Sequence, residues 1–268
     1  MYDVCLQCTD PGTSALEHKW AEAVFAPATD VLYGGSPMPA AWTRELAARW
    51  PHLRLHHGYG LTEFTSAVSF LPPELASAYG ESVGTPAPGV SVRLVGDTGH
   101  DMPPGEVGEV WASGPTRMRE YWNMPAATGS AIRDGWLRTG DLARWDGGLL
   151  YLCGRTDDVI NRGGEKIHPA DVETEIAALP GVGQVCVFGA PDPVLQQRVV
   201  AVIEPRPGAA FDAGHARAAL AARLADYAIP EDFLVAGNLP RTASGKLDRR
   251  LIPASFGRQY TPHRTEGS

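Results

Sequence analysis

Five short segments combine glycine, hydroxyl and charged residues where a purely structural core would not require them. Such residues can build a ligand site, because glycine admits close contact, carboxylates accept hydrogen bonds or bind a cation, and lysine neutralises negative charge. Taken singly, each segment is more typical of an ordinary turn. In chain order they are Tyr33-Gly34-Gly35-Ser36-Pro37, Tyr59-Gly60-Leu61-Thr62-Glu63, Arg138-Thr139-Gly140-Asp141, Gly154-Arg155-Thr156-Asp157-Asp158 and Pro240-Arg241-Thr242-Ala243-Ser244-Gly245-Lys246-Leu247-Asp248-Arg249.

The elements that position these segments change in character along the chain. Within residues 1–82, the strand Val31–Tyr33 runs through glycines into a helix beginning at Pro39, an order typical of α/β structure. Residues 83–154 contain short strands separated by glycine and proline, which predicts a small β-rich subdomain. Residues 158–258 alternate helices and strands, which predicts a compact α+β domain.

Hydrophobic periodicity places the individual elements. Helices are predicted over Leu16–Phe25, from Pro39 onwards, over Pro169–Leu179 and over Ala213–Tyr227. Strands are predicted at Val90–Val95, Val107–Trp111, Val185–Phe188, Val199–Ile203 and Phe233–Val235, with a hairpin joining Leu142–Trp145 to Leu149–Leu152. The polar tail from Gln259 is predicted to be disordered.

Composition limits the classes of partner. The 268-residue chain is 44% apolar and 20% charged, as expected of a globular protein with a sizeable core. Its net charge of −8 argues against nucleic acid or an anionic membrane as the main partner, since both bind clustered cations. No apolar run reaches the roughly 20 residues of a transmembrane helix and no secretory signal is visible, so we predict a cytoplasmic protein. Cys5 and Cys8 have the spacing of metal ligands or of a redox pair. No second cysteine or histidine pair completes a tetrahedral site and no βαβ pattern follows, so reduced thiols are the favoured interpretation.

Together, in this order and spacing, the five segments resemble the ANL superfamily of adenylate-forming enzymes, which includes acyl-CoA synthetases, nonribosomal-peptide adenylation domains and luciferases. The likeness runs from about residue 31 to residue 250 and includes Gly108-Glu109-Val110 with Gly114, and Arg162-Gly163-Gly164-Glu165-Lys166-Ile167 with Glu173. It implies the carboxyl-terminal half of such an enzyme: the remnant of an α/β subdomain, a small β-rich subdomain and a mobile α+β domain. It also implies two half-reactions, in which a carboxylate attacks the α-phosphorus of ATP and a thiol or amine then takes the acyl group.

The resemblance assigns an adenine site to the first two segments. Gly35, Ser36 and Pro37 would form a flat wall, where missing or small side chains let the ring approach. Tyr59, followed by Gly60, would stack on the opposite face of the ring.

The ribose and phosphate sites follow in the same way. Asp141 would accept hydrogen bonds from the ribose hydroxyls, and Arg155 would contact the same ribose. Thr62 would bind a phosphate oxygen and Glu63 would hold Mg²⁺. Outside this family, Glu63 and Arg155 would be interpreted as ordinary surface groups.

The remaining implied residues belong to a moving domain. Lys246 would be the catalytic cation, reaching the bridging oxygens of the acyl phosphate. Asp157 would be the hinge about which the domain turns. After that turn, Gly163 and Gly164 would line the path of the CoA or phosphopantetheine thiol, and Lys166 would lie near the phosphate or CoA.

The chain departs from the family pattern at its amino-terminal end. Complete family members are roughly twice as long and carry a Ser/Thr/Gly-rich loop ending in lysine that holds the β- and γ-phosphates of ATP. Thr9–Ser14 is the nearest stretch here, but an acidic residue, a proline and the lack of a following lysine make it a poor match. We therefore expect the sheet containing Val31–Tyr33 to need covering by a partner chain, a homo-oligomer contact or residues 1–30.

Four interpretations stay open. The chain could activate a carboxylic acid when paired with its missing half, or only transfer the acyl group of an acyl-adenylate made elsewhere. It could instead be a catalytically degenerate regulator that binds a nucleotide or a partner, or a fragment with a misassigned start. The intact site residues favour an enzyme, either an AMP-forming acid–thiol ligase or an acyltransferase acting on acyl-adenylates.

Neither the acyl group nor its acceptor can be read from these residues. The acceptor could be CoA, a carrier-protein thiol or an amine. His56, His57 and Phe64 belong to the remaining pocket wall, and the histidine pair is more typical of a structural than a catalytic role.

Overall fold

A computed structural model describes residues 19–35, 40–242 and 247–256, which form two compact units divided between Asp157 and Asp158. All seven tryptophans of the sequence precede that division. Several predictions lie outside the described ranges: those for Cys5 and Cys8, Thr9–Ser14, Ser36 and Pro37, Lys246, and the tail from Gln259.

The first unit contains two sheets. Its elements in chain order are α1 (Lys19–Phe25), β1 (Asp30–Gly34), α2 (Ala40–Arg49), β2 (Arg54–Tyr59), β3 (Ser69–Leu71), α3 (Pro73–Tyr79), β4 (Thr85–Pro86), β5 (Ser91–Val95), β6 (Gly108–Ser113), α4 (Pro125–Ala131), β7 (Ile132–Arg133), β8 (Trp136–Asp146) and β9 (Leu149–Arg155). The predicted strand at Val31–Tyr33 and the helix after Pro39 are confirmed as β1 and α2.

The first sheet has the strand order β1-β2-β3-β4 and begins with a parallel pair. β1 and β2 run parallel with Tyr33 opposite His57, and α2 connects them as a crossover. Along β2, burial alternates so that Leu55, His57 and Tyr59 face inwards. This alternation places the aromatic ring of Tyr59 in the core at the strand's carboxyl end.

The second sheet is antiparallel, with the order β5-β6-β8-β7 and β9 paired to β8. The predicted hairpin is confirmed, because Asp146 pairs with Leu149 across the turn at Gly147 and Gly148. Buried side chains of this sheet join one hydrophobic cluster with residues from the first sheet and its loops: Tyr59, Phe64, Val68, Val83, Leu94, Val110, Ala112, Leu137, Ala143 and Leu150. Shared packing therefore fixes the two sheets of this unit against each other.

The second unit is built around one sheet. Its elements are β10 (Ile160–Arg162), β11 (Glu165–Ile167), α5 (Pro169–Ala177), β12 (Val182–Asp192), β13 (Gln196–Pro205), α6 (Ala213–Leu220), β14 (Asp232–Val235) and α7 (Leu251–Phe256). The strand order is β11-β10-β13-β12, with β14 parallel to β13. The strands predicted at Val185–Phe188, Val199–Ile203 and Phe233–Val235 are confirmed within β12, β13 and β14.

Both faces of this sheet are covered, which explains the nearly continuous apolar run in β13. One face packs with α5 and α6 through Val172, Ile176, Ala216 and Leu220. The other face packs with α7 through Ile252 and with Leu239. The observed combination of an α/β unit with an α+β unit confirms the predicted fold class.

The helix predicted over Ala213–Tyr227 is shorter than expected, since α6 ends at Leu220. The amide of Arg223 bonds to the carbonyl of Leu220, three residues back, which is the tighter bonding typical of a helix end. Ala225 then adopts extended angles (φ −64°, ψ 146°), which ends helical continuation before the short turn Asp226–Ala228. Alanine-rich composition favoured a longer helix, but the chain must turn there to enter β14.

No helix in the three described ranges is both long enough and apolar enough to cross a membrane.

Two adjacent residues of α7 test how this unit is stabilised. Ile252 is fully buried, whereas Leu251 is 50% exposed. Because removing a buried side chain leaves a cavity, Ile252→Ala is expected to lower the free energy of unfolding by about 2–5 kcal/mol. Leu251→Ala should change it by less than about 1 kcal/mol. Amide hydrogen exchange of β13 measures both, and equal losses would contradict this packing.

Candidate functional site

The candidate site of the first unit is organised around the carboxylate of Asp141. The Tyr59 hydroxyl donates to Asp141 Oδ2 over 2.6 Å, and Arg155 Nη1 donates to Oδ1 over 2.8 Å. The Asp141 side chain is 17% exposed and that of Arg155 is 51% exposed. Three residues predicted to bind the nucleotide, although distant in sequence, therefore meet at one carboxylate.

A β-bulge brings Arg155 opposite Asp141. Near the hairpin turn the residues of β8 and β9 pair in regular register, as far as Ala143 opposite Leu152. The register then shifts by one between Leu142 and Ala143, so that Asp141 pairs with Arg155. Without the bulge, Gly154 would stand opposite Asp141 and the arginine would point to the other face of the sheet.

The backbone that carries Asp141 is held by the preceding threonine. The Thr139 hydroxyl donates to the Val110 carbonyl over 2.9 Å and accepts from the Asp141 amide over 3.0 Å. Gly140 between them has a φ of +72°, and a Cβ there would lie 3.0 Å from Arg155 Nη2. The positive φ favours glycine at this position, and the nearby guanidinium leaves little room for a side chain.

Glu109 supports the same turn, a role that the sequence had signalled only as part of the family likeness. Its Oε1 accepts from the Gly140 amide over 3.3 Å, and its Oε2 accepts from Trp111 Nε1 over 2.9 Å. Arg138 also donates to Oε2, with Nη2 at 3.0 Å. The Glu109 carboxylate therefore ties the glycine before Asp141 to the neighbouring strand β6.

Burial raises the pKa of Tyr59, and the negative charge of Asp141 raises it further. The phenol therefore stays protonated at physiological pH and acts as the hydrogen-bond donor to Asp141. The ring that the resemblance places against adenine is 7% exposed.

After Gly60 the chain enters a single 3₁₀ turn, Thr62–Phe64, which includes Glu63. A Cβ at Gly60 would lie 1.1 Å from the Ser66 carbonyl oxygen, so only glycine fits. Thr65 and Ser66 both have positive φ angles, of 51° and 89°. Backbone conformations of this kind are common at functional sites, and Thr62 in the same loop is exposed at the surface.

Glu63, the predicted metal ligand, is bonded to a residue that sequence reasoning missed. Its Oε1 accepts from the Tyr121 hydroxyl over 2.8 Å, and its carbonyl accepts from the Met118 amide over 2.7 Å. The signal that could have identified Tyr121 is weak, because it lies 58 residues away along the chain.

Glu63 could bind Mg²⁺ only together with further ligands that the described neighbouring side chains do not supply. No group of three or more histidine, cysteine, aspartate or glutamate side chains within the described ranges could hold a metal ion. Mg²⁺ is commonly bound by one or two carboxylates together with substrate phosphates and water. A single carboxylate at Glu63 is consistent with an ion that arrives with a nucleotide.

The predicted adenine wall begins where β1 and β2 end. A Cβ at Gly34 would lie 2.2 Å from the Gly58 carbonyl oxygen, so the two backbones approach as closely as glycine permits. Gly35 follows with a φ of 73°, while Ser36 and Pro37 are outside the described residues.

The histidine pair on β2 has structural partners. His57 Nδ1 lies 2.8 Å from the Ser82 carbonyl, and its ring stacks on Tyr33 at a centroid distance of 4.5 Å. Burial lowers the pKa of His57, which favours the neutral ring. His56 Nε2 lies 2.8 Å from Asp30 Oδ1.

The second unit carries the predicted thiol-path residues. Gly163 and Gly164 form the turn between β10 and β11, with φ angles of 60° and 102°. A Cβ at Gly164 would meet no atom within 4 Å, so the turn is open, and Lys166 on β11 is exposed. Asp157, the predicted hinge, lies in the 3₁₀ turn Thr156–Asp158 at the division of the two units. The roles of these residues and of Lys246 stay predictions.

Two family descriptions match this chain. The AMP-binding enzyme family matches residues 2–122, and the AMP-binding enzyme C-terminal domain matches residues 171–246. A feruloyl-CoA synthase from Amycolatopsis sp is 38% identical over 91% of this chain and 49% of its own length. An indoleacetate–CoA ligase from Aromatoleum aromaticum is 37% identical over 85% of this chain and 45% of its own length.

Solved structures give the same result. The o-succinylbenzoate CoA synthetase of Bacillus subtilis, in complex with its acyl-adenylate intermediate, is 34% identical with a TM-score of 0.75, over 83% of this chain and 45% of that one. The amide bond synthetase of Marinactinospora thermotolerans is 31% identical with a TM-score of 0.82, over 90% of this chain and 49% of that one.

These matches, together with the Asp141 cluster, define an AMP-binding enzyme fold. The chain belongs to the ANL superfamily of adenylate-forming enzymes. It spans about half the length of the curated relatives that it matches.

Asp141 is the residue to change first. Asp141→Asn keeps the shape but removes the negative charge, so it should weaken AMP binding by about 10- to 100-fold, the range of a charge-assisted hydrogen bond. Asp146→Asn is the matched control, because that aspartate lies on the same strand β8 but is exposed at the hairpin turn. Isothermal titration with AMP gives both affinities, and equal weakening in the two variants would exclude Asp141 from the nucleotide site.

Proposed function

We propose that this chain supplies the nucleotide-binding and lysine-bearing parts of an adenylate-forming ligase and handles an acyl-adenylate. The observation that carries the proposal is the convergence of Tyr59 and Arg155 on the carboxylate of Asp141. This arrangement supports nucleotide binding, because the carboxylate is held in place and an anionic acceptor suits the ribose hydroxyls.

The proposed chemistry has two half-reactions. In the first, a carboxylate oxygen of the substrate bonds to the α-phosphorus of ATP while the bond to pyrophosphate breaks. Two anions meet in this step, so positive charge is needed, and Lys246 would supply it from the protein. Mg²⁺, when bound with the nucleotide, would add charge at Glu63.

In the second half-reaction, the sulfur of a thiol or the nitrogen of an amine bonds to the acyl carbon, and AMP leaves with the electron pair of the broken carbon–oxygen bond. The nucleophile gives up its proton in this step. The turn at Gly163 and Gly164, which is open at Gly164, would admit the acceptor, with Lys166 beside the CoA or phosphate. Rotation about Asp157 would exchange this face of the unit for the one that carries Lys246.

The relatives suggest which acids and acceptors to try. The feruloyl-CoA synthase and the indoleacetate–CoA ligase are named for aromatic acids, so ferulate and indoleacetate come first. A fatty acid–acyl-carrier-protein ligase and an amide bond synthetase are also among the similar proteins, which keeps carrier-protein thiols and amines as alternatives to CoA.

The relatives contain a portion to which this sequence has no match. We further propose that the first sheet of the chain binds that portion of an adenylate-forming enzyme. β1 is the edge strand in the described part of the sheet, and its Leu32 side chain is 68% exposed. Phe70, 36% exposed, lies beside it, and the two line an apolar groove of about 520 Å³. The other residues of the groove include His56, Pro72, Pro86 and Pro88.

Two features favour this occupant over an unrelated protein. A parallel edge strand such as β1 can be extended by a further strand, which is how α/β sheets grow. The chain also matches only 45–49% of the two relatives above, so about half of each relative lies outside the match. The other half could belong to the same polypeptide or to a separate one.

The activity test uses supplied adenylates. We expect the purified chain to convert synthetic feruloyl-AMP or indoleacetyl-AMP and CoA into AMP and a thioester, because the second half-reaction does not need the phosphate loop of ATP. With ATP, Mg²⁺, the free acid and CoA, pyrophosphate should appear only when the missing half is added. Asp141→Asn should slow the transfer at limiting adenylate, and Asp146→Asn should not.

Each other result has a definite meaning. Pyrophosphate release by the chain alone would indicate a self-sufficient ligase. AMP binding without any turnover would instead favour the nucleotide-binding regulator. Failure to bind AMP or an acyl-adenylate would contradict the proposed function.

The covering half is tested separately. The half of the Amycolatopsis feruloyl-CoA synthase that this chain does not match is expected to bind it, as measured by biolayer interferometry. Leu32→Asp would leave an unpaired charge in the interface and should weaken binding at least about 10-fold. Val235→Asp is the control, since Val235 is 58% exposed and lies in the other unit. No binding, or equal weakening by both changes, would rule out this occupant.

A further inference from the structure

The segment proposed to carry the catalytic lysine is closed at its base. Arg241 and Leu247 form an antiparallel bridge, and the Asp248 amide donates to the Pro240 carbonyl over 2.9 Å. Lys246 directly precedes one member of that bridge. The described residues on the two sides of Lys246 are therefore joined at this base.

A buried carboxylate holds the upstream side. Glu204, at the end of β13, is 1% exposed, although the rest of that strand's centre is apolar. Its Oε2 accepts from the Leu239 amide over 2.7 Å, and Arg241 Nη2 lies 3.7 Å from its Oε1. Because burying a carboxylate is costly, a charged residue at this position needs both partners.

A second carboxylate holds the downstream side. Glu173 on α5 is paired with the guanidinium of Arg249, three residues after Lys246. Its other oxygen accepts from the Val187 amide over 2.7 Å, which fixes the carboxylate to β12. Arg249 Nη1 also lies 3.7 Å from Cys186 Sγ, a buried free thiol on the same strand. The arginine is thus held between α5 and β12.

The two carboxylates have the same design. Each binds one backbone amide and one arginine, and the two arginines flank the lysine at positions 241 and 249. The two carboxylates belong to different elements, Glu173 to the helix α5 and Glu204 to the strand β13. The described residues before and after Lys246 are therefore each tied to a different element of the unit.

We infer that Glu173 and Glu204 are positioning residues: they fix the described residues on the two sides of Lys246, and the contribution of that lysine to ligand binding depends on them. A cation stabilises developing charge well only when it is already in place, because moving it during the reaction costs free energy. The inference rests on the proposed role of Lys246 and adds to it the pair of residues through which the fold would control that lysine.

The test asks whether the lysine's contribution depends on these carboxylates. The probe is 5′-O-(N-feruloylsulfamoyl)adenosine, a stable mimic of an acyl-adenylate, titrated calorimetrically into the full chain. Lys246→Ala is expected to weaken its binding by about 10- to 100-fold, as for loss of a charge-assisted hydrogen bond. In a Glu173→Gln or Glu204→Gln background the same change should cost less than about 3-fold, because coupled residues are not additive.

Glu231→Gln is the matched control. Glu231 also binds one arginine and one backbone amide in the same unit, through Arg162 at 2.7 Å and the Val199 amide at 2.8 Å. It does not flank Lys246, so the full effect of Lys246→Ala should persist in that background. A merely structural role for Glu173 or Glu204 would likewise leave the effect intact.

The outcomes separate this inference from the proposed function. If Lys246→Ala does not weaken binding of the mimic in the unaltered chain, the proposed role of the lysine is wrong. If it does, and the effect persists in both glutamine backgrounds, the positioning inference is overturned while the role of the lysine stands. If either glutamine variant fails to fold by circular dichroism, Arg249→Gln and Arg241→Gln replace them. These remove the guanidinium that ties each flank of Lys246 to its carboxylate, and an undiminished lysine effect in both would overturn the inference.

Discussion

The candidate site depends on one carboxylate that two other side chains hold in place. Asp141 is anchored by a phenol from one sheet and a guanidinium from the other strand of its hairpin. Those bonds exist because a bulge shifts the register of β8 and β9 by one residue. A small irregularity in a ladder of backbone hydrogen bonds thereby decides which side chains share a face.

Three carboxylates of the chain each accept a hydrogen bond from a backbone amide and thereby fix a loop. Glu109 holds the turn before Asp141, while Glu173 and Glu204 hold the two sides of the lysine segment. In each case the acid binds an amide as well as a cation. An ion pair alone fixes only two flexible side chains, whereas an added amide ties the charge to the rigid backbone.

Much of this architecture follows from the sequence, and the exceptions have physical causes. Alternating hydrophobic residues and turn residues were sufficient to predict the hairpin, and the spaced motifs were sufficient to predict the family. The bulge that pairs Asp141 with Arg155 has no signature in hydrophobic pattern, because it changes register without changing residue types. The bond between Tyr121 and Glu63 and the burial of Glu204 arise from tertiary packing, which local propensity does not encode. The early end of α6 likewise reflects where the chain must go next.

The distribution of indole rings has a practical consequence for spectroscopy. Since every tryptophan lies before Asp158, tryptophan emission comes entirely from that portion of the chain. A change in tryptophan emission on adding AMP would therefore come from the portion that contains Asp141. A single tryptophan introduced after Asp158, in a background where the natural ones are replaced by phenylalanine, would give the lysine-bearing portion an optical signal of its own.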